Sequence, residues 1–192
     1  MGLNPGPEKW LKRADELNPF GYYECFPLLQ LSREIISKLG GDFLRNIPQP
    51  PPGWLNQMEN EKQQILNIVK EGNVEIFKDA PMLIIADLYD ELFPDASWIV
   101  IHRDIRETYK SRSHDRIPHV SFEEWEKITE TRMSRWRQTR PFSKALNVDY
   151  KDFSTDLPGT IKKISTFLGI QLSEGQIKDC MDFFKPGCRK KM

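Results

Sequence analysis

Three short apolar runs, separated by stretches with helical periodicity, constrain the fold of this chain more than any other feature. The runs cover residues 73–78, 97–102 and 145–150. Each is nearly continuous rather than alternating, which is typical of strands that are buried on both faces, as in a parallel sheet. Strands that alternate with helices indicate an α/β fold, in which helices flank a parallel sheet.

Apolar residues at helical spacing predict six helices around these strands, and glycine or proline marks several of their ends. The predicted helices are one around Leu31, Ile35 and Leu39 that stops at Gly40-Gly41, one around Ile65, Ile68 and Val69 that ends at Gly72, and four over residues 81–93, 122–137, 157–168 and 173–184. Four prolines within residues 47–54 predict an irregular connection instead, because proline cannot continue a helix.

Length, charge and cysteine content narrow the class of protein. A chain of 192 residues is expected to form a single domain, residues 1–192. Its 28 basic and 28 acidic residues cancel, which argues against nucleic acid or a membrane surface as partner. The sequence shows no apolar run of about 20 residues and no apolar signal-peptide region near its start. Three cysteines without metal-ligand spacing favour reduced thiols, a cytoplasmic location and no metal.

The ends of the predicted strands carry charged side chains. The first run ends in Lys78-Asp79, the second in His102-Arg103, and the third in Tyr150-Lys151. Because ligands of parallel α/β sheets bind beyond the carboxyl ends of the strands, these cations predict an anionic ligand. The alternative is a solvated helix face, on which Arg103, Arg106 and Lys110 pair with Asp104 and Glu107.

Three segments, in order along the chain, resemble the sulfotransferases. Residues 77–111 resemble that family's pattern of a strand, a lysine, a helix, "FP-A", a second strand, and an arginine followed eight residues later by a serine. Here the arginine and serine are Arg103 and Ser111. Residues 148–173 resemble the later "Y-D-F … FLG" segment, and residues 18–24 resemble the "NP-GY-E" stretch of bacterial members.

The resemblance implies a P-loop NTPase-like fold and an activity. That activity is transfer of a sulfuryl group from 3′-phosphoadenosine 5′-phosphosulfate to a hydroxyl or amine of a small-molecule acceptor. It implies that Arg103 and Ser111 bind the 3′-phosphate, for which the planar fork of arginine is well suited. It also implies that Tyr150 contacts the adenine, and that Lys78 stabilises charge on the transferring group.

The chain departs from the family's pattern in two places. No Gly-rich phosphate loop follows a strand anywhere in it, and residues 1–24 resemble the family's segment just beyond that loop. The first strand and the phosphate loop are therefore expected to be missing, and the sheet edge left open is expected to be covered by another part of the chain or by a second copy. Animal cytosolic members carry a histidine where this chain has Ala80. The nearest candidates for a general base are Asp79 and Glu24, with His119 as a third.

Other functions stay open from the sequence. One alternative is a non-catalytic relative that binds adenosine bisphosphate or a protein partner, and another is a small-molecule or nucleotide kinase. A metal site at His114, Asp115 and His119 is disfavoured because a loop gives these residues no fixed register. The acceptor is not identified by the sequence, although residues 18–24 and 114–122 are expected to contact it.

Overall fold

The computed structural model describes residues 3–13, 23–112 and 120–183 of the chain. It combines helices with a parallel pair of strands, which confirms the predicted fold class. The helices are α1 Phe26–Lys38, α2 Glu59–Gly72, α3 Met82–Leu92, α4 Ile105–Arg112, α5 Phe122–Arg137, α6 Asp152–Thr155, α7 Leu157–Phe167 and α8 Glu174–Phe183; the strands are β1 Ile99–His102 and β2 Leu146–Asp149. Short 3₁₀ segments lie at Glu8–Trp10, Trp54–Gln57 and Arg140–Lys144.

The chain divides into two compact units. One, the sheet unit, comprises residues 96–129 and 143–192, and the other, the helical unit, comprises residues 2–95 and 130–142. Helix α5 contributes its first half to the sheet unit and its second half to the helical unit. The expectation of a single domain over residues 1–192 stays a prediction.

The sheet unit is built around the parallel pair β1 and β2. Ile99 lies opposite Leu146 and His102 lies opposite Asp149, so the carboxyl ends of both strands meet at one edge. Helices α6 and α7 pack against β2. Two of the three predicted strands are therefore confirmed, with the predicted parallel orientation.

The prediction of a strand at residues 73–78 was wrong. Asn73 adopts a left-handed conformation (φ 46°) that ends α2, which asparagine tolerates better than most residues. The N–H groups of Glu75 and Ile76 both donate to the carbonyl oxygen of Asn4, at 2.8 and 3.2 Å. The backbone donors that a sheet would need are thus taken by the amino-terminal segment, and Ile76 is exposed.

The amino-terminal segment fastens this stretch to the helical unit. The Asn4 side chain donates to the Asn73 carbonyl oxygen at 2.8 Å, and the Asn4 N–H donates to the Glu75 carboxylate at 2.9 Å. The Trp10 ring lies directly against Gly72, where an added Cβ would meet the ring at 2.4 Å. Only glycine fits between that backbone and the indole, which is why α2 can end beneath Trp10.

The predicted helices are confirmed, with ends that follow the expected chemistry. After α1, the Gly40 and Gly41 N–H groups donate to Ser37 and Ile36 carbonyl oxygens, a Schellman motif with Gly40 left-handed at φ 81°. At the start of α8, the Ser173 N–H donates to the Gln176 side chain at 2.9 Å and the Gln176 N–H donates back to the Ser173 hydroxyl. The proline-rich connection forms no helix between residues 47 and 53, as predicted.

The core of the helical unit lies between α1, α2 and α3, which pack on one another. Its fully buried side chains include Leu28, Ile35, Ile36, Ile65, Ile84, Ile85, Leu88, Tyr89 and Trp136. Full burial of each aliphatic side chain contributes about 1.5–3 kcal/mol relative to exposure. In the part of the chain that the structure describes, no helix is long and apolar enough to cross a membrane.

Candidate functional site

The junction between β1 and α4 carries the first group of predicted site residues. Asp104 caps the helix, because its carboxylate accepts the N–H groups of Arg106 and Glu107 at 2.9 and 3.0 Å. Helix α4 therefore begins after Arg103, which leaves the arginine outside the helical register. Because Asp104 already occupies these two N–H groups, an anion bound here would be held mainly by side chains.

Arg103 has two neighbours that hold its guanidinium. Its Nε donates to the Glu107 carboxylate at 3.2 Å, one turn along α4, and its Cζ lies 4.7 Å from the centroid of the Tyr150 ring. The parallel ladder explains the second contact, because the Tyr150 N–H extends it by donating to the His102 carbonyl oxygen at 2.6 Å. Within residues 3–13, 23–112 and 120–183, neither Nη nitrogen of Arg103 donates a hydrogen bond.

Ser111 lies farther along the same helix. It lies six positions after Ile105, the first residue of α4, which is a rise of about 9 Å. Its hydroxyl is exposed and donates to the Thr108 carbonyl oxygen at 3.0 Å. The structure thus brings Arg103 and Tyr150 into contact, and it shows no contact between Ser111 and either of them.

The alternative of a solvated helix face is met only in part. Arg103 pairs with Glu107, as that alternative requires. Arg106, however, lies with its Cζ 4.9 Å from the centroid of the Phe122 ring, a cation–π contact, and has no ion pair with a described residue. The two arginines of this helix start are therefore both stacked on aromatic rings.

Lys78 belongs to the helical unit and lies in a small ionic cluster. Its Nζ is 3.5 Å from one oxygen of the Glu24 carboxylate, while the Lys12 Nζ is 3.4 Å from the other. An antiparallel bridge between Leu11 and Cys25 brings Lys12 beside Glu24. Lys78 is largely exposed, whereas Glu24 is mostly buried. Lys12 could not be predicted as a neighbour of Lys78, because this long-range pairing is what brings the two close together.

Asp79 follows Lys78 and has the opposite environment. Both of its carboxyl oxygens are shielded from solvent, and neither has a hydrogen-bond partner of good geometry among the described residues. Burial is the main reason that the pKa of Asp79 rises from 3.8 to about 7. The negative charge of Glu24 raises that pKa as well, while the Ser32 hydroxyl and the charge of Arg33 lower it.

Ser32 and Tyr89 lie near Asp79. The sequence did not predict either of them as a site residue. The Ser32 hydroxyl and the Tyr89 hydroxyl are 2.9 Å apart in a buried hydrogen bond. Burial raises the pKa of the Tyr89 hydroxyl, to which the nearby charge of Asp79 contributes. Both residues occupy core positions of α1 and α3, so periodicity alone assigns them to packing.

Several predicted residues lie outside the described part of the chain. His114, Asp115 and His119 belong to this group, as do residues 18–22 of the expected acceptor segment. Among the described residues, no group of three or more histidine, cysteine, aspartate or glutamate side chains could hold a metal ion.

Comparison with known families identifies the chain. The model of the sulfotransferase family matches residues 7–174, well over half of the sequence. The chain therefore belongs to the sulfotransferase family, as the resemblance of its motifs predicted. Neither a search of curated proteins nor a search of solved structures returned a significant match.

Proposed function

We propose that this chain transfers a sulfuryl group from 3′-phosphoadenosine 5′-phosphosulfate to a hydroxyl or amine of a small-molecule acceptor. Arg103 and Ser111 bind the 3′-phosphate of the donor in this proposal. The observation that carries it is the state of Arg103, whose Nε is used by Glu107 while its Nη nitrogens have no hydrogen-bond acceptor among the described residues. Membership of the sulfotransferase family supports the class of reaction.

The chemistry of Arg103 suits a phosphate. A guanidinium offers two parallel N–H donors to two oxygens of one phosphate, and such charge-assisted bonds are about twice as strong as neutral ones. The Ser111 hydroxyl supplies a further donor once it rotates away from the Thr108 carbonyl oxygen. A hydroxyl changes partners readily because its rotation costs little.

In this proposal, Lys78 stabilises the negative charge that develops during the transfer. When the acceptor attacks sulfur, the acceptor–sulfur bond forms, the bond from sulfur to the donor phosphate breaks, and the acceptor gives up a proton. Negative charge then grows on the departing phosphate, and a lysine ammonium stabilises such charge. The Nζ of Lys78 is exposed and has only the Glu24 carboxylate as ion-pair partner in the part of the chain described.

The acceptor proton requires a base, and Asp79 has a pKa suited to that role. A base is most effective when its pKa lies near the working pH, and the pKa of Asp79 is about 7. Its carboxyl oxygens are buried, so they must become accessible before Asp79 can reach an acceptor. Glu24 is the other candidate by position, because its carboxylate already lies beside Lys78.

A second candidate function is binding without turnover. The burial of both Asp79 oxygens favours it, as does the absence of a Gly-rich phosphate loop from the 192 residues. In that case the chain binds adenosine 3′,5′-bisphosphate through Arg103 and transfers no sulfuryl group.

Calorimetric titration with 3′-phosphoadenosine 5′-phosphate tests the binding half of the proposal. Arg103→Ala should weaken binding more than tenfold, because a charge-assisted phosphate bond contributes about 1.5–3 kcal/mol. Arg106→Ala is the matched control, since it removes the same charge from the same helix start and should change the affinity less than about threefold. Equal losses in the two variants, or no binding by the unmodified chain, contradict the assignment of Arg103.

A transfer assay then separates catalysis from binding alone. The labelled donor is incubated with the chain and a panel of phenols, aliphatic alcohols and amines, and labelled product is measured. Transfer that is lost in Lys78→Ala, with binding of the bisphosphate retained, supports the enzyme. Binding of the nucleotide with no transfer of the label, either to an acceptor or to water, favours the second candidate.

A further inference from the structure

Two contacts and the local chain direction restrict the orientation of the Arg103 guanidinium. Its Nε donates to the Glu107 carboxylate at 3.2 Å, its Cζ lies over the Tyr150 ring at 4.7 Å from the centroid, and the chain direction at Arg103 is set by β1, which ends one residue earlier. A flat group that is held by one edge and one face can turn very little. The edge that carries both Nη nitrogens is therefore held in one direction before any ligand binds.

We propose that Glu107 and Tyr150 are positioning residues, which orient Arg103 for the 3′-phosphate of the nucleotide. The proposal rests on the proposed function, because it takes Arg103 as the phosphate ligand. Neither residue needs to contact the phosphate. Glu107 acts through Nε, and Tyr150 acts through the ring contact. Nucleotide binding then costs less conformational entropy, because the Arg103 side chain is already ordered.

This assignment differs from what the family resemblance implies for Tyr150. The resemblance places its ring against the adenine, yet in this structure the ring carries Arg103 and is 42% exposed. A role in holding Arg103 and a role in contacting adenine predict different behaviour once Arg103 is removed. The first role loses its effect without the arginine, whereas the second keeps it.

The role of Glu107 also has a clear competitor. A carboxylate beside a phosphate site repels the incoming dianion, so Glu107 could oppose binding rather than assist it. The hydrogen bond through Nε argues for assistance, since it leaves the bidentate edge of the guanidinium available. Removing the carboxylate therefore distinguishes the two roles by the sign of its effect on affinity.

A double-mutant cycle with Arg103→Ala tests both residues in the full chain. The affinity for 3′-phosphoadenosine 5′-phosphate is measured by calorimetry, with displacement titration for weak variants. Glu107→Ala and Tyr150→Leu should each weaken binding about three- to tenfold when Arg103 is present. In the Arg103→Ala background, each should change the affinity less than about twofold.

Conservative variants and a second ligand sharpen the test. Glu107→Gln keeps an acceptor for Nε, and Tyr150→Phe keeps the ring, so each should bind within about twofold of the unmodified chain. Adenosine 5′-phosphate, which lacks the 3′-phosphate, should bind equally well to all variants that retain Arg103. Both side chains are substantially exposed, so the substitutions leave the fold intact.

Four results would overturn the inference. Tighter binding by Glu107→Ala makes Glu107 a competitor of the phosphate. A loss for Tyr150→Leu that is equal with and without Arg103 makes Tyr150 an adenine contact. Unchanged affinity in both Glu107→Ala and Tyr150→Leu shows that Arg103 needs no positioning residue. No binding by the unmodified chain removes the proposed function, and this inference with it, and is recognised before any variant is made.

Discussion

Two aspartates on either side of the start of α3 have opposite surroundings. Asp87 lies within the helix, where its carboxylate accepts the Arg135 Nη2 at 2.9 Å and the Arg140 N–H at 2.8 Å. Asp79 lies three residues before the helix, and neither of its oxygens has a hydrogen-bond partner of good geometry in the described ranges. Both carboxylates are largely removed from water.

The difference between the two aspartates shows how a buried carboxylate is compensated when its role is structural. A buried carboxylate is tolerated when hydrogen bonds and an opposite charge replace its lost water, and Asp87 has both. For Asp79 the Ser32 hydroxyl and the charge of Arg33 do not offset the desolvation cost, and its pKa rises to about 7 as a result. Places where a sequence violates such a rule are candidates for function, which is the reason to attend to Asp79 rather than Asp87.

Arg135 also resolves a break in α3 itself. Ile85 leaves helical geometry (φ −117°, ψ 24°), and the Arg135 Nε donates to the Ile84 carbonyl oxygen at 3.0 Å. One buried arginine therefore serves both a side-chain carboxylate and a carbonyl oxygen at the kink. The paired region is stabilised by a network that the Asp79 region lacks.

The largest expected effect comes from breaking that network. Arg135→Met should lower the free energy of unfolding by about 3–5 kcal/mol, because it leaves the Asp87 carboxylate buried without its main counter-charge. Urea denaturation at pH 7 measures the change. A loss below about 1 kcal/mol would mean that Arg140 alone satisfies Asp87, and the contrast between the two aspartates would weaken.

The second effect has the opposite sign. Asp79→Asn should raise the free energy of unfolding by about 2–4 kcal/mol at pH 8, because asparagine fills the same space without a charge. Between about pH 4 and 7 the folded chain retains a proton on Asp79 that the unfolded chain has released. Stability due to this group is therefore present below about pH 4 and is lost as the pH rises to about 7.

Denaturation curves of the unmodified chain and Asp79→Asn across pH 4–8 check that dependence. The two stabilities should converge near pH 4 and separate until about pH 7, above which the difference is constant. Asp87→Asn is the matched control, since the same substitution at a paired carboxylate should destabilise the chain. A difference for Asp79→Asn that does not change with pH would show that its carboxyl group does not titrate in this range.

A smaller effect is expected from Ser32→Ala. The variant leaves the buried Tyr89 hydroxyl without its partner and removes the hydroxyl that lowers the pKa of Asp79, at a cost of about 1–2 kcal/mol. Part of this cost should disappear in the Asp79→Asn background if the two side chains interact. Strict additivity of the two substitutions in urea denaturation would separate Ser32 from Asp79.

The smallest effect tests the link between Asp79 and the ionic cluster around Lys78. The charge of Glu24 raises the pKa of Asp79, so Glu24→Gln should move the pH midpoint of the Asp79 effect downward. The accompanying loss of the Lys78 and Lys12 pairs should cost less than about 1 kcal/mol. An upward shift, or none, would mean that Glu24 and Asp79 do not sense each other.

The helices and two of the strands could be predicted from local patterns. Leu31 and Ile35 give α1 its buried face, and Gly40 ends it by adopting a conformation that other residues avoid. The placement of Arg103 and Tyr150 at one edge of the sheet followed from topology, because parallel strands bring their carboxyl ends together. These features depend on neighbours along the chain or on a general rule of α/β folds.

The remaining features depend on distant residues that no local pattern announces. Residues 73–78 have a strand-like composition, yet Asn4 takes the backbone donors that a ladder would have used. Lys12 joins Lys78 through Glu24 because of a single antiparallel bridge. The raised pKa of Asp79 arises from its burial and its neighbours rather than from its position in a motif. Sequence therefore located the charged groups, whereas the structure determined which of them are paired.

Proteolytic cleavage within residues 3–12 can report on the region around Lys78. Among the described residues, only Asn4 of this segment accepts the backbone N–H groups of Glu75 and Ile76, which lie three and two residues before Lys78. A protease that cuts within it would release Trp10 from Gly72 and leave the Lys78 segment untethered on that side. The rate of cleavage there therefore measures how often this region opens. A ligand that engages Lys78 would slow that cleavage before any product is detected.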